Sequence, residues 1–407
     1  MIEQRSAQKR PRSCLRACPV CGSLVHELLY RQEFEQFLQG SIGDGYEVVA
    51  CADCGTCFAS GLPDEPRFAE YYADASKYDL AGEATQLSDR DRARYADQAA
   101  FVASLVADRD DPILDVGTAT GGFLVALRDR GFAQPYGVDP SPDAVRVGRE
   151  HVGLRMAVGG LGAAKSWRTS FGLISYVAVL EHLLDPRAQA RAAARLLRPG
   201  GHLFVSVPDA ASFGRYVDAP FQEFSVEHIN FFTSRSLANA MAIEGYVLVG
   251  ERVLPLPLGT DGQGPALEAV YRWVGNTAPL AHDESGARAI NEYVRRCSEI
   301  EGGIAERIAQ IADSGERILV WGTGTHTLHL LRTSRLAECR IEAFIDSNPH
   351  YAGATLAGRP VVAPSSLQVV DSPILVSSAV SQAGIADAAR DGYGPDVSLI
   401  LLYPAAT

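Results

Sequence analysis

The sequence lacks an uninterrupted apolar stretch of the roughly 18 residues that a membrane-spanning helix requires. A basic run opens the chain (Lys9, Arg10, Arg12 and Arg16), but no apolar segment follows it, so it predicts a disordered arm rather than a secretory signal peptide. An excess of positive charge is also missing, because the formal net charge is −12 at pH 7. Negative charge disfavours binding to nucleic-acid backbones and anionic lipid surfaces. We therefore expect a cytoplasmic protein that binds neither nucleic acid nor membranes.

Length and composition predict more than one domain. A chain of 407 residues exceeds what one hydrophobic core usually organises, and its 47% hydrophobic content supplies apolar surface for two or three cores. We predict an N-terminal module at 1–80, a central domain at 81–255, and a linker helix with a C-terminal domain at 256–407. The proline- and glycine-rich stretch from Leu254 to Gly264 marks the second boundary, and the linker helix is predicted over Gly286 to Ser314. We expect a monomer or a homodimer.

Cysteine is scarce except near the start of the chain, where six of the eight cysteines lie between Cys14 and Cys57. Two CxxC pairs stand there, separated by 29 residues, and this spacing is typical of two knuckles that close on one tetrahedral Zn²⁺. The cysteines of the two pairs are Cys18, Cys21, Cys51 and Cys54. Four thiolates leave no open position for water, so the predicted zinc is structural. Cys14 and Cys57 are competing ligands, and buried reduced cysteines without metal are the alternative.

From residue 112 onward, short apolar runs alternate with segments of helical periodicity. The strand candidates in this part are PILDV, PYGVD, LRMAV, FGLISYVAV and GHLFVSV. Such alternation predicts an α/β domain with a doubly wound parallel sheet. After the linker helix a second alternation, with RILVW, IEAFID, SPILV and VSLILLY, predicts a smaller Rossmann-like domain.

A glycine-rich turn follows the first strand of the central domain. In the segment ILDVGTATGGFL, Gly117 and Gly121 let backbone approach a ligand at the start of a helix. Asp139 lies 24 residues after Asp115 at the end of the next strand, where a carboxylate can accept hydrogen bonds from ribose hydroxyls. That spacing would also fit a nicotinamide dinucleotide, but the turn reads D-x-G-x-x-x-G instead of G-x-G-x-x-G, with Ala119 where a middle glycine is common. Turn and packing glycines without a ligand are the alternative.

The successive segments DVGTATGGF, GVDPS, SYVAVLEHLLDP and LLRPGGHLFVSVPD resemble the motifs of class I S-adenosylmethionine (SAM)-dependent methyltransferases, in the same order. This resemblance implies that Asp115 to Gly117 lie beside the methionine part of SAM and that Asp139 holds the ribose. It places Gly160 and Leu161 near the adenine. The cofactor-binding residues implied are Asp115, Gly117, Thr118, Gly121, Asp139, Pro140, Gly160, Leu161, Val177 and Ala178.

A long connection follows the fifth strand of the central domain, at the end of the sheet where doubly wound folds bind ligands. It carries Glu227 and His228, and a histidine can accept a proton near neutral pH. The alternative is a loop histidine that packs against the phenylalanines after it. Glu181 and His182 form a second Glu-His pair at the end of the fourth strand. We expect this pair to shape the rim of the cofactor pocket, with His182 as the second candidate base.

The order of a four-cysteine module, a SAM domain with a Glu-His loop and a Rossmann-like C-terminal domain resembles the sugar C-methyltransferases. These enzymes act on nucleotide-linked deoxyketosugars in antibiotic biosynthesis. The resemblance implies that His228 removes a proton next to the sugar ketone and that Glu227 assists it. Where this family often has a tyrosine two positions before the glutamate, the present sequence has Ser225.

The C-terminal domain carries a weaker glycine turn, in which Gly322 and Gly324 follow a strand and Asp346 ends the next one. Thr323, Thr325 and His326 would contact phosphate or sugar there if a nucleotide-linked substrate bridged the domains, and a structural role is the alternative. The sequence thus predicts a SAM-dependent methyltransferase for a small-molecule acceptor such as a nucleotide-linked sugar. O- or N-methylation, or a SAM fold that binds, isomerises or scaffolds without transferring methyl groups, are the alternatives.

Overall fold

A computed structural model describes residues 16–37, 44–62, 87–217, 219–258 and 262–403. Four residues discussed above lie outside these ranges, namely Lys9, Arg10, Arg12 and Cys14. The prediction of a disordered arm is wrong for Arg16, because its guanidinium donates hydrogen bonds to the carbonyls of Leu184 and Ile229. None of the helices among the described residues combines the length and the apolar character needed to span a lipid bilayer.

The N-terminal module is a small antiparallel sheet. Its own strands are β1 (His26–Glu33), β2 (Gly45–Cys51) and β3 (Cys57–Ser60). A fourth strand, β9 (Asn230–Phe231), comes from the connection that carries His228, and it pairs with β3 through Cys57↔Phe231 and Phe58↔Asn230. The sheet of the module is therefore completed by the predicted catalytic loop.

The central domain is built on a seven-stranded mixed sheet in the order β10-β11-β8-β7-β4-β5-β6. Its strands are β4 (Pro112–Val116), β5 (Gln134–Asp139), β6 (Arg155–Val158), β7 (Phe171–Val177), β8 (Leu197–Pro208), β10 (Tyr246–Leu258) and β11 (Gly262–Trp273). The helices are α1 (Asp89–Leu105), α2 (Gly122–Asp129), α3 (Pro142–Glu150), α4 (Pro186–Ala194) and α5 (Ser234–Ile243). Strands β4 to β8 pair in parallel, as the alternating pattern predicts.

The sheet continues past the boundary predicted at residues 254–264. The described residues of this stretch belong to β10 and β11, which pair antiparallel, and β11 pairs with β8. Pro255 and Pro257 have no backbone N–H to donate. Strand β10 tolerates them because it is the edge strand, with a neighbouring strand on one side only.

The linker helix α6 (Gly286–Ser314) spans the residues predicted for it and ends where Gly315 adopts a left-handed conformation, with φ of +65°. A six-stranded sheet of order β14-β15-β13-β12-β16-β17 follows. Its elements are β12 (Arg317–Trp321), α7 (Thr325–Thr333), β13 (Arg340–Ile345), β14 (Thr355–Leu356), β15 (Arg359–Val362), β16 (Ile374–Val376), α8 (Gln382–Tyr393) and β17 (Leu399–Leu401). All pairs except β14–β15 are parallel, which matches the predicted Rossmann-like unit.

An aromatic cluster joins the three parts of the chain. Phe224, on the loop before His228, is fully buried, and its ring centroid lies 5.7 Å from Tyr30 of β1 and 5.2 Å from Tyr293 of α6. It also packs against Phe231, with centroids 5.1 Å apart. The same apolar core extends to Phe344 of the C-terminal sheet. The loop is therefore held by packing contacts on several sides.

Candidate functional site

The turn after β4 passes close to the turn after β7. Gly117 has φ of +73°, and a Cβ built on it would lie 2.6 Å from the Cγ2 of Val179. The amides of Gly117 and Thr118 both donate to the carbonyl of Val138 in the neighbouring strand β5. Three strand ends thus meet at one place, where a doubly wound sheet binds its ligand. Ala119, at the position where a glycine is common, also has a positive φ, of +49°.

Two carboxylates stand at these strand ends. Asp139 is buried, and its two oxygens accept hydrogen bonds from the amides of Ala119 (2.8 Å) and Ser141 (2.9 Å). Each oxygen keeps a further lone pair that can accept from a ribose hydroxyl. Asp115 accepts from the hydroxyl of Ser175 at 2.7 Å, and burial raises the pKa of Asp115 to about 7. The carboxylate set fits the predicted SAM site, although Asp115 bonds inward to the sheet.

The remaining cofactor candidates surround the same end of the sheet. Gly121 has φ of +91° and caps helix α2, while Ala178 follows β7 with φ of +55°. The amide of Ala178 donates to Ser206 of β8 at 2.9 Å. Gly159 donates to the carbonyl of Asp139 at 2.8 Å, which holds the turn before Gly160 beside the second carboxylate. The exposed residues in this group are Pro140, Gly160 and Ala178; Val177 is half-buried, and Thr118 and Leu161 are buried.

Ser225 organises the loop of the predicted base. Its hydroxyl accepts hydrogen bonds from the amides of both Glu227 (3.3 Å) and His228 (3.1 Å). The N-terminal module holds the preceding segment, since the Tyr46 hydroxyl donates to the carbonyl of Ser225 and the Gln32 amide donates to that of Phe224. Ser225 therefore has a conformational role in this chain.

The structure brings the two predicted histidines together. The ring centroids of His182 and His228 are 5.0 Å apart, and His182 Nδ1 lies 3.0 Å from the carbonyl oxygen of Glu227. The backbone joins the two segments as well, because the amide of Ile229 donates to the carbonyl of Glu181 at 2.9 Å. Both Glu-His pairs of the sequence thus belong to one site. Only Leu180 separates the Glu181-His182 pair from Val179, which lies beside Gly117 in the turn after β4.

Glu181 is the residue whose importance the sequence did not reveal. Its side chain is buried, and one carboxyl oxygen lies 3.8 Å from His182 Nε2. Burial, with smaller contributions from the charges of Glu223 and Glu227, raises the pKa of Glu181 to about 8. One carboxyl oxygen of Glu181 and one ring nitrogen each of His182 and His228 all lie within 4.8 Å of one another. Burial also raises the pKa of Glu223 to about 7, and nothing in the sequence pattern indicated that this glutamate is inside.

The four predicted zinc ligands converge, with all sulfurs within 4.8 Å of one another. Cys18 Sγ lies 3.6 Å from Cys54 Sγ, and Cys21 Sγ lies 3.4 Å from Cys51 Sγ. Bonds of about 2.3 Å to a tetrahedral zinc place sulfurs roughly 3.8 Å apart. Burial raises the pKa of Cys21 to about 12, whereas a hydrogen bond from Cys18 lowers that of Cys54 to about 5. Four cysteine sulfurs at this spacing form the donor set that tetrahedral Zn²⁺ prefers.

The competing ligand Cys57 does not join this cluster. Its thiol lies 3.8 Å from the carbonyl oxygen of Gly55, and burial raises its pKa above the ordinary range. Cys14 is outside the described residues. A neutral buried thiol acts as a small apolar side chain, which agrees with the place of Cys57 in the core.

The glycine turn of the C-terminal unit is occupied by internal contacts. The amide and the hydroxyl of Thr323 both donate to Asp346, at 3.0 and 2.5 Å. The hydroxyls of Thr327 and Ser377 lie 2.7 Å apart, and the imidazole of His326 is buried. Contact of Thr323, Thr325 and His326 with phosphate or sugar stays a prediction.

Comparison with known proteins identifies the central part of the chain. Residues 88–251 match a protein-family model described as "Methyltransferase domain". The match agrees with the predicted methyltransferase domain, and the structure confirms the predicted α/β fold. The matched range includes both Glu-His pairs and the turn after β4, but neither the cysteine module nor the C-terminal unit.

Curated relatives match over short ranges. Ubiquinone biosynthesis O-methyltransferase of Xanthomonas oryzae pv. oryzae is 40% identical over 102 residues, which are 23% of this chain and 41% of that protein. The enzyme of the same name from Xanthomonas campestris pv. campestris is 39% identical over 114 residues, 26% of this chain and 46% of that protein. The chain therefore spans less than half the length of these relatives.

Solved structures of SAM-dependent methyltransferases superpose on part of the chain. The protein from Methanosarcina mazei is 16% identical, with a TM-score of 0.36, and the match covers 42% of this chain and 97% of that one. For the protein from Mesorhizobium loti, the identity is 17%, the TM-score is 0.36, and the coverage is 44% and 97%.

Proposed function

We propose that this protein transfers the methyl group of SAM to a carbon atom of a small-molecule acceptor, with His228 as the base. The single observation that carries the proposal is the convergence of His182, His228 and Glu181 next to the strand ends that form the cofactor turn. The three-part order of the chain further supports a nucleotide-linked deoxyketosugar of natural-product biosynthesis as the acceptor. SAM itself supplies an electrophilic methyl group on a sulfonium when it is bound.

Carbon methylation requires a carbon nucleophile, which a base can generate next to a ketone. In the proposed reaction His228 accepts the proton from the carbon beside the carbonyl, and the electron pair left behind forms the new bond to the methyl carbon. The bond between that carbon and sulfur breaks, so S-adenosylhomocysteine and a methylated ketone are the products. Proton transfer by a positioned base contributes about 10²- to 10⁴-fold in rate.

The surroundings of His228 suit a neutral base. With its pKa raised to about 8 by burial, Glu181 is mostly uncharged at pH 7. A neutral carboxyl stabilises a nearby imidazolium less than a carboxylate would. Glu227 fixes the site through its backbone carbonyl, which meets His182 Nδ1, and its side chain is the candidate for acceptor binding.

Asp139, Asp115 and the turn at Gly117 would hold SAM, and the four cysteines would hold Zn²⁺. The role proposed for zinc is structural, because four sulfur ligands leave no open coordination position. Metal analysis of the purified protein should give one zinc per chain, and replacing Cys18 by Ser should abolish it.

Replacement of His228 by Ala tests the function. We expect SAM affinity measured by calorimetry to stay within about twofold of wild type, because His228 lies outside the strand-end turns. Release of S-adenosylhomocysteine with a panel of nucleotide-linked ketosugars should fall about 10²- to 10⁴-fold. His151, exposed at the end of α3, serves as the control, and its Ala variant should keep full turnover. Undiminished turnover in the His228 variant would refute its assignment as base.

Oxygen methylation is the second candidate, and the relatives named ubiquinone biosynthesis O-methyltransferase favour it. An imidazole at the same place would then accept the proton of a hydroxyl group. Nuclear magnetic resonance (NMR) spectra of the product distinguish a methyl group on carbon from one on oxygen or nitrogen. A protein that binds ligand, isomerises it or scaffolds partners would release no S-adenosylhomocysteine with any acceptor.

A further inference from the structure

Arg16 makes an unusual set of contacts for an arginine near a chain terminus. Its guanidinium is over the ring of Phe58, 5.6 Å from the centroid, and it donates five hydrogen bonds. The acceptors are the carbonyls of Ala59, Leu183, Leu184 and Ile229 and the side-chain oxygen of Asn230. None of these five acceptors is a carboxylate, so the contact is not a salt bridge.

Four of the five acceptors belong to two segments that each follow a candidate catalytic histidine, and the fifth, Ala59, lies in β3. Leu184, at 2.7 Å, lies two residues after His182, and Ile229, at 2.9 Å, directly follows His228. Asn230 ties the segments further, because its oxygen accepts from Arg16 at 2.7 Å while its amide donates to Leu183 at 2.8 Å. One planar guanidinium therefore bridges the backbones that carry the two imidazoles.

The position of Arg16 is set by the cysteine cluster. It precedes the ligand Cys18 by two residues, and the ring beneath its guanidinium belongs to β3, which follows the second CxxC pair. An arginine guanidinium keeps its positive charge in proteins. Keeping a charge there with neutral acceptors carries a desolvation cost, and five directed hydrogen bonds compensate for it.

We propose that Arg16 is a positioning residue for the methyl-transfer site, which fixes the mutual placement of His182 and His228 from within the N-terminal module. The cysteine module then acts on catalysis in addition to stabilising the fold. The link to turnover rests on the function proposed above, whereas the effect on the histidine pair does not. A displacement of about 1 Å in a catalytic group can cost roughly 10²-fold in rate, so even slight relaxation would be measurable.

Arg187 supplies a matched control. It also connects the N-terminal module to the central domain, since it donates to the carbonyl of Val20 at 2.9 Å and pairs with Glu244 at 2.9 Å. None of its hydrogen bonds goes to the segments that carry the histidines. Loss of Arg187 should therefore weaken the attachment of the module and leave the histidine pair in place.

The experiment compares Arg16→Ala, Arg16→Lys and Arg187→Ala in the full-length protein. NMR signals of the imidazoles, assigned with His182→Ala and His228→Ala, report on the pair without any need for turnover. In Arg16→Ala both signals should shift, kcat should fall about 10- to 100-fold, and the KM for SAM should stay within about twofold. Added guanidinium ion should restore part of the rate. Lysine cannot reproduce the planar fork of donors, so Arg16→Lys should remain impaired, and it provides the test if the Ala variant does not fold.

In Arg187→Ala the melting temperature should fall, while the imidazole signals and kcat stay as in wild type. Unchanged imidazole signals in a folded Arg16 variant would overturn the proposal, as would an equal disturbance in Arg187→Ala. Shifted imidazoles combined with full turnover in His228→Ala would uphold the positioning effect and reject His228 as the base. The failures of the two proposals are thereby distinguishable.

Discussion

Single residues at the site have properties that their sequence positions do not reveal. Glu181 and His182 stand in an ordinary Glu-His pair, yet the glutamate is buried and has a pKa near 8, whereas the histidine stays partly accessible. Because burial raises this pKa from the usual 4.5, the folded protein keeps a proton that the unfolded chain loses between about pH 4.5 and 8. Folding therefore becomes less favourable as the pH rises through this range.

Replacement of Glu181 by Gln should remove this dependence. A neutral amide has no proton to lose. The difference in unfolding free energy between the variant and wild type should therefore change in favour of the variant from pH 5 to pH 8, by on the order of 3 kcal/mol. Denaturant titrations at several pH values measure the difference in slope. Glu306→Gln, on the exposed side of α6, is the control and should follow wild type. Parallel curves for wild type and Glu181→Gln would contradict a raised pKa.

Residue types indicated which side chains to consider for the site, because the chemistry of a type does not depend on the fold. Histidine at a sheet's carboxyl end and paired cysteines were visible as candidates in the sequence, and the structure brings each group together. Arg16 could not be found in this way, since its five acceptors are backbone and amide groups far along the chain. Carbonyl acceptors leave no signature in a sequence.

At the scale of elements, the turn at Gly117 after β4 depends on a close contact between two strand ends. The glycines after β4 were predictable from their spacing, but the proximity of Val179 follows from β4 and β7 being neighbours in the sheet. Similarly, strand β9 has only two residues and its pairing with the N-terminal module is long-range, so no local pattern indicated it. Local periodicity predicts strands, whereas strand order and such short pairings depend on the whole core.

Gly117→Ala should disturb this turn in two separable ways. A left-handed residue with a Cβ costs about 1 kcal/mol, and contact with Val179 at 2.6 Å adds a steric term. Gly153 has the same φ of +73° with nothing within 4 Å of a built Cβ, so Gly153→Ala measures the conformational cost alone. Unfolding free energies should show a greater loss for Gly117→Ala, by about 1 to 3 kcal/mol, together with weaker SAM binding. Equal losses in the two variants would exclude the clash.

At the scale of the molecule, the three sequence-predicted parts share a core instead of standing apart. Loop residues around Phe224 contact β1 of the N-terminal module and α6, and the same cluster continues into the C-terminal sheet. Strand β9 also pairs with β3 of the N-terminal module, which joins the loop of His228 to that module through the backbone. Composition indicated three units, but it carries no information on whether the units unfold independently.

Because of this shared core, we expect the described parts to unfold in one cooperative transition. Phe224→Ala removes the ring that contacts Tyr30, Phe231 and Tyr293, and truncation of a buried phenylalanine costs about 3 to 5 kcal/mol. Phe132→Ala is the matched control, since that ring is equally buried in a cluster of the central domain alone. In both variants, hydrogen exchange should show lost protection in β1, α6 and the His228 loop together, because a single transition exposes all of these elements. Loss of protection restricted to one of these elements would show that the parts unfold separately.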